Sequence, residues 1–422
     1  MKAIILVAGE GKRLRPLTYT RPKHLLPIAG KPLLEHTIQG LKENGINEFI
    51  LVIGYEKEFI KQYFKDGAKL GVKIEYILQD TPLGTAHAAG MAENHIENDF
   101  ILIYGDILVS KSTFKGLLEK YRESNSNAII SLKKVNDPEK YGIINLEGGV
   151  AKRIIEKPKD KTIGNLANAG IYILKPSIFE AIKNTKKSKR GEFELTDSLQ
   201  MLIDQGEKIY GFSLPSWWLD VGRPWDLLKA NKLLMDKETE YNSKGEVEEG
   251  VHIRGNVKIG KNTIIRSGSY LKGPVIIGDN CQIGPNCYIR DYTTIGNNIR
   301  IGNACEIKGS IIMDNTNVSH LSYVGDSIIG ENCNLGAGTI TANLRFDKKH
   351  IKMRVKKRIV NTGRKKLGMI LGDNVQTGIG TTLLPGIKVG NNSVIGPNIN
   401  IWNDIPPHSK VILKEKIEIK KL

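Results

Sequence analysis

Aromatic residues make up only 6% of this chain of 422 residues. A surface that stacks the successive bases of a single strand needs such rings, so nucleic acid is not expected as a partner, although the net charge is +17. Cysteine is scarce too. Cys281, Cys287, Cys305 and Cys333 include no Cys-x-x-Cys pair, which argues against a zinc cluster or a disulfide framework and for small packed residues. No apolar run reaches the length that spans a bilayer, so no membrane segment is expected. The opening, Met1-Lys2, six apolar residues and then Gly9-Glu10, is too short and too soon charged for a secretory signal. These absences leave an expected cytoplasmic protein of two or three domains whose positive charge suits nucleotides and phosphosugars.

Residues 1–235 alternate strand and helix patterns. Phe49–Ile53, Ile74–Leu78 and Phe100–Tyr104 are short β-prone runs, and Leu34, Ile38 and Leu41 keep helical spacing up to Gly45. Such alternation predicts a mostly parallel sheet covered on both faces, with ligands outside the carboxyl ends of the strands. Polar motifs do follow the strands. The run Ala3–Ala8 feeds into Gly9 and Gly11, and then come Lys12, Arg13, Arg15 and, after Pro22, Lys23. Glycines let backbone N–H groups approach an anion, and the cations neutralise it, so the stretch reads as a triphosphate site. It is not a dinucleotide fingerprint, because Leu14 replaces the third glycine, and it lacks the Gly-Lys-Ser/Thr ending of a P-loop.

Further along lie Gln79-Asp80-Thr81-Pro82-Leu83-Gly84-Thr85-Ala86-His87, Gly105-Asp106 and Trp218-Leu219-Asp220. A Gln amide both donates and accepts, as the edge of a pyrimidine requires, and a Pro-Leu-Gly turn here would be followed by a helix capped by Thr85. Carboxylates at strand ends near a phosphate loop suit Mg²⁺. Tyr141-Gly142-Ile143, Glu156-Lys157-Pro158 and Asn168-Ala169-Gly170 each join a strand to a polar residue or glycine. Thr196 reads as the cap of a helix near Glu194 and Asp197.

The whole string Ala8-Gly9-x-Gly11-x-Arg13-Leu14-x-Pro16-Leu17-Thr18, with Pro22-Lys23 downstream, resembles the signature of sugar-1-phosphate nucleotidylyltransferases. The resemblance implies a Rossmann-like domain. In it Ala8, Gly9, Gly11, Arg13 and Lys23 hold the nucleoside triphosphate, with Arg13 and Lys23 acting on its phosphates. Gln79, Gly84 and Thr85 would read uracil or thymine, so UTP or dTTP. Asp106 and Asp220 would hold Mg²⁺, and Gly142, Glu156, Lys157 and Asn168 the sugar 1-phosphate. The attacking phosphate oxygen is already an anion, so no general base is required in this half.

From residue 253 the sequence repeats every six residues: Ile253, Ile259, Ile265, Leu271, Ile277, Ile283, Ile289, Ile295, Ile301, Ile307 and Met313 are all apolar. The spacing slips to five between Met313 and Val318 and between Val324 and Ile329, and residues 344–366 leave the pattern and are dense in Lys and Arg. Three hexads per turn make a triangular solenoid with Gly/Asn corners. The pattern resembles the left-handed parallel β-helix of hexapeptide-repeat acyltransferases, which implies a homotrimer.

The string from His320-Leu321-Ser322-Tyr323 to Asn343 resembles the acetyltransferase half of the bifunctional enzymes that form UDP-N-acetylglucosamine. That implies acetyl-CoA as co-substrate and His320 as general base. Tyr323, Asn334, Asn343 and Lys349 would bind the amino-sugar phosphate, and the backbone near Ala337 would meet acetyl-CoA; Lys352 is a further phosphate candidate. A histidine's ordinary pKa of ~6.5 lets it take a proton from an attacking amine.

The expected organisation is a nucleotidylyltransferase domain over residues 1–235, a polar linker over 236–250, a β-helix over 251–405 and a charged tail over 406–422. The expected function joins acetylation of glucosamine-1-phosphate, or its galacto isomer, to transfer of UMP or dTMP onto N-acetylglucosamine-1-phosphate or glucose-1-phosphate. The alternatives are a single nucleotidylyltransferase activity on a structural solenoid, and a non-enzymatic scaffold.

Overall fold

The apolar run after Met1 is strand β1 (Lys2–Val7), and it is buried on both sides. Ile4 joins one hydrophobic core while Ala3, Ile5 and Val7 join another, because successive side chains of a strand point to opposite faces. A continuous apolar run is what a strand covered on both faces requires.

The computed structural model describes residues 1–124, 126–160, 163–238, 242–414 and 418–420. The chain forms two units. Met1–Glu10, Pro22–Leu25 and Leu33–Asp220 make the first; Gly11–Arg21, Leu26–Pro32 and Val221–Leu422 make the second.

In the first unit β1 is followed by α1 (Leu33–Lys42), β2 (Glu48–Ile53), α2 (Lys57–Phe64), β3 (Lys73–Leu78), α3 (Thr85–Gly90), β4 (Phe100–Tyr104) and the short β5 (Ile107–Val109). Then come α4 (Lys111–Glu123), β6 (Ala128–Lys134), β7 (Gly142–Glu147), β8 (Val150–Glu156), β9 (Leu166–Leu174), α5 (Ile178–Asn184), α6 (Leu195–Asp204), β10 (Ile209–Ser213) and β11 (Trp218–Asp220). The nine-stranded sheet has the order β3-β2-β1-β4-β9-β6-β10-β8-β7. Strands β3, β2, β1 and β4 are mutually parallel, as expected, and so are β6 and β10. Strand β9 runs antiparallel to both β4 and β6, so the sheet is mixed beyond β4. Helix α1 ends where expected: Gly45 has φ 87° and its N–H returns to the Lys42 carbonyl at 2.9 Å.

The second unit holds, among the described residues, a solenoid of three parallel sheets with eight, nine and eight strands, the left-handed β-helix that the resemblance to hexapeptide-repeat acyltransferases implies. One aliphatic side per short strand enters a single core running its length, including Ile259, Ile277, Ile295, Leu335 and Ile395. Ile277 pairs with Ile295, and Ile295 with Ile312, so one coil takes 18 residues and the next takes 17. The inward row therefore passes through Ile312, and Met313, expected in that row, follows the strand. The first five-residue step lies between Ile307 and Ile312. Asn262, Asn280, Asn298, Asn332, Asn374 and Asn392 hold corners at φ between 55° and 58°, a conformation Asn tolerates better than other side chains.

Residues 239–241 of the expected linker lie outside the described residues, and the rest of it is largely structured. Helix α7 (Pro224–Glu238) runs into it, and Asn242–Ser243 and Glu246–Val247 are the first strands of two solenoid sheets. At the far end Lys410–Val411 pairs with Val394–Ile395, so the start of the expected tail belongs to the solenoid. The basic insertion has structure of its own. Lys352–Val355 and Arg358–Asn361 form a hairpin, and Ile351 and Met353 are buried at its root. Within this same unit Asn231 of α7 accepts from the Ala29 N–H and the Thr294 hydroxyl, both at 2.8 Å. Arg21 forks onto Glu331 and Asp373 of two successive coils, and Thr20 also donates to Asp373. Among the described residues no helix is long and apolar enough to cross a membrane.

Candidate active sites

In the first unit a cavity of about 190 Å³ lies beyond the end of β4. Asp106 follows β4, and Asp220 ends β11, which pairs antiparallel with β5 so that Asp220 stands opposite Ile107. This short ribbon brings the two carboxylates, 114 positions apart in sequence, to one wall of the cavity. Lys23 donates to Asp106 in an ion pair that is largely screened from water. Gly9 rests against the Lys23 side chain, where an added Cβ would lie 3.8 Å from Cε.

Gly142, Glu156, Lys157 and Asn168 line the same cavity, as does Thr85. A Cβ at Gly142 would come 2.9 Å from the Glu156 carboxylate, which would then have to shift. Lys157 has φ 45°, a strained value for a residue with a side chain, and its ammonium lies 3.3 Å from Glu156. Asn168 accepts from the Gly170 N–H at 3.0 Å and donates to the buried Tyr172 hydroxyl, which in turn donates to Tyr104. Burial pushes both phenols well above the ordinary tyrosine range.

Other expected residues have local duties. Gln79 is buried at the end of β3, its amide nitrogen 2.7 Å from His87 Nδ1. Gly84 (φ 124°) is approached by its own chain, because an added Cβ would lie 2.3 Å from the Phe193 carbonyl oxygen. Thr85 is not a helix cap: Gly84 caps α3, and the Thr85 hydroxyl accepts from the Leu195 N–H at 3.0 Å. Thr196 is likewise inside α6, which Glu194 precedes as the capping position, and its hydroxyl faces Glu156 at 3.4 Å. Ala8 follows β1, and its carbonyl accepts from the Tyr55 N–H at 3.3 Å.

Gly11 and Arg13 belong to the second unit. Gly11 has φ 68° and opens a one-turn helix over Lys12–Leu14, while the Thr18 hydroxyl donates to its carbonyl at 3.0 Å. The Arg13 guanidinium lies so close over Gly222 that a Cβ there would sit 2.8 Å from it.

Sequence reasoning missed several residues of the first cavity, Arg190 and Trp218 among them. Arg190 lines it and is held by Glu156 at 3.3 Å and Glu194 at 3.0 Å; burial raises the Glu194 pKa, and Arg190 opposes that rise. Trp218 also lines it, with its indole N–H donating to Ala169 at 2.9 Å and its ring set edge-on to Tyr141. Arg190 was hidden in a run of surface cations, Lys186 to Lys189.

On the solenoid, His320 is exposed in the corner between Asn317–Val318 and Tyr323–Gly325. Its carbonyl accepts from the Gly338 N–H at 3.2 Å, which places the Ala337–Gly338 corner one coil along beside it. The Tyr323 hydroxyl accepts from the Asn343 amide at 3.1 Å, and burial raises its pKa. His320, Tyr323, Ala337 and Asn343 are thus gathered on one edge. Asn334 is exposed on a different sheet, between Asn317 and Gln376, and Lys349 and Lys352 are exposed on the insertion. Sequence reasoning missed Arg290, Glu306, Lys308, Asp326 and Arg364. Glu306 pairs with Tyr323 across the sheet and takes Arg290 at 2.7 Å. Stepping back one coil from Tyr323 and Gly325 reaches Glu306 and Lys308, so the repeat itself carried the signal.

Comparison with known proteins identifies the family. The Nucleotidyl transferase family matches residues 2–237, and the GMPPB C-terminal domain matches residues 271–384. The chain is 52% identical to "Bifunctional protein GlmU" of Methanococcus maripaludis and 45% identical to the protein of that name from Methanocaldococcus jannaschii. These alignments cover all of this chain and 99% and 100% of the relatives. It is 39% identical to a "Bifunctional sugar-1-phosphate nucleotidylyltransferase/acetyltransferase" of Sulfurisphaera tokodaii, over 96% of this chain and 98% of that one. A crystal structure of a "Putative Glucose-1-Phosphate Thymidylyltransferase from Bacillus anthracis" superposes with a TM-score of 0.52 at 31% identity, covering 58% of this chain and 98% of the other. The chain belongs to the nucleotidyl transferase family and, within it, to the bifunctional sugar-1-phosphate nucleotidylyltransferase/acetyltransferases.

Proposed function

We propose that the first unit's cavity takes a sugar 1-phosphate and that the solenoid edge takes an amino-sugar 1-phosphate. The observation that carries the reading is the convergence of Asp106, Asp220, Glu156, Lys157 and Asn168 on one cavity, with Lys23 paired to Asp106. In nucleotidyl transfer a phosphate oxygen of the sugar 1-phosphate bonds to the α-phosphorus of UTP or dTTP, and the bond to pyrophosphate breaks. Arg13 and Lys23 neutralise the triphosphate, and Lys157 with Arg190 holds the sugar phosphate. Gln79 would read the base. Asp106 and Asp220 suit Mg²⁺, a hard cation that takes one or two carboxylates and fills its remaining positions with phosphate oxygens and water. When bound it would offset charge building up on the phosphates.

On the solenoid, His320 takes the proton of the attacking amine as the new N–C bond forms on the acetyl group of acetyl-CoA. The C–S bond then breaks, and the coenzyme thiolate leaves with a proton. Backbone N–H groups near Ala337 would face the oxyanion. Lys308 and Arg290 join Tyr323 and Asn343 as acceptor ligands, with Lys349 and Lys352 at the insertion.

Two tests follow. Asp106→Ala should abolish pyrophosphate release from UTP or dTTP and spare release of CoA thiol with glucosamine-1-phosphate, while His320→Ala should do the reverse. Loss of both activities in either folded variant would refute two separate sites. The second concerns assembly. Tyr323 and Asn334 occupy different sheets, so a side-by-side trimer would supply Asn334 from a neighbour. Mixed assemblies of His320→Ala and Asn334→Ala chains should then recover acetyl transfer that neither variant has alone; no recovery would mean each chain is complete.

A further inference from the structure

Asp326 is a carboxylate buried beside the acceptor edge, with its side chain 10% exposed. Burying a charge this far is costly unless partners replace the water it loses. Three pieces of chain supply them. Lys308, on the preceding coil, reaches Oδ2 at 3.0 Å; the Asn343 amide nitrogen reaches the same oxygen at 2.7 Å; and Arg364, at the foot of the basic hairpin, lies 3.8 Å from Oδ1. The Asp326 carbonyl also accepts from the Gly368 N–H, where the chain re-enters the solenoid, at 2.9 Å.

The corner itself does not call for a carboxylate. Lys308 pairs with Gly325, so the preceding coil has Gly309 at this place, with φ 54° against 50° for Asp326. What the carboxylate adds is order among its neighbours. Asn343 carries two amide hydrogens, one given to Asp326 and the other to the Tyr323 hydroxyl. That fixes which end of the amide faces inward and leaves the Tyr323 proton free to be donated to a ligand oxygen. Lys308 and Arg364 would repel each other without a negative charge between them. One carboxylate between two cations leaves a net positive, pre-set receptor for a phosphate.

We propose that Asp326 is a positioning residue for the phosphate of the amino-sugar acceptor, acting through Lys308, Asn343 and Arg364. The proposal rests on the acetyl-transfer reading above. The experiment measures CoA thiol release against glucosamine-1-phosphate and, separately, against acetyl-CoA, on the full chain. Asp326→Asn should raise the KM for glucosamine-1-phosphate by about tenfold, the equivalent of ~1.4 kcal/mol, and leave the KM for acetyl-CoA within about twofold. Pyrophosphate release by the other half should not change. Lys308→Met should raise the same KM, and the double variant should be no worse than the poorer single, because the two act as one unit. Asp326→Glu, which keeps the charge, should recover part of the loss, and it replaces Asp326→Asn if that variant does not fold. An unchanged acceptor KM, a parallel rise in both KM values, or simple additivity with Lys308→Met would overturn the proposal. Absence of thiol release from the unaltered protein would instead remove the acetyl-transfer reading on which it stands.

Discussion

His24 follows the triphosphate-loop lysine directly and has no exposed surface, and neither of its ring nitrogens has a hydrogen-bond partner among the described residues. Burial, reinforced by the neighbouring Lys23 charge, pushes its pKa down to about 3. The ring is therefore neutral in the folded chain, whereas in the unfolded chain it takes a proton below its ordinary value of ~6.5. Stability should accordingly fall as pH drops from that value toward 3, by up to about 1.4 kcal/mol per pH unit from this residue. Urea unfolding between pH 7 and 4 should show that slope reduced in His24→Leu; an equal slope in the variant would assign the loss to other groups. Nothing in the sequence marked His24, because its role comes from what surrounds it. Asp106 and Asp220 were legible through the family resemblance that pairs them, although only Asp106 follows a strand recognisable in the sequence. Thr85 and Thr196 were misread as caps because a hydroxyl before a helix gives the same local pattern whether it bonds its own helix or, like Thr85, the start of another.

The solenoid coil shows how far periodicity reaches. Six-residue spacing located the strands and the buried row, because one aliphatic per hexad must turn inward. It misplaced the row by one residue at Met313, since the adjacent Ile312 and Met313 are both apolar and only pairing with Ile295 chooses between them. The cysteines were read correctly as packed residues. Cys281, Cys287 and Cys333 each point the thiol at a carbonyl one coil on, at 3.1, 2.9 and 3.2 Å. Burial lifts Cys281 to about 11 and Cys287 and Cys333 to about 12, and it raises Cys305 as well. Because the thiolate is the reactive form, a disulfide reagent at pH 8 should label none of the four in minutes and all four once denaturant melts the coils. Prompt labelling of any one would mean that its coil opens in the native state.

For the whole molecule, sequence placed a boundary at the polar stretch after residue 235, where charge and the end of a helical pattern suggested one. The units divide differently. Residues 11–21 and 26–32, which carry much of the nucleotidylyltransferase signature, associate with α7 and the solenoid. Contacts between residues more than 300 positions apart, such as Arg21 with Glu331 and Asp373, leave no periodic trace in a sequence. A fragment of residues 1–235 should keep Lys23, Asp106 and Asp220 yet lack both carboxylates that hold Arg21. Its nucleotidyl transfer should show a higher KM for the nucleoside triphosphate than the full chain, and Arg21→Met in the full chain should move KM the same way; a fragment as active as the full chain would show that loop to be self-supporting. The Arg21 fork also bears on how such genes can be recombined. Exchanging solenoids between relatives at the seam after α7 would transplant Glu331 and Asp373 without the loop they fit. A chimera made there should show the same raised KM for the nucleoside triphosphate as the fragment, unless the incoming solenoid brings carboxylates that meet the loop as Glu331 and Asp373 do.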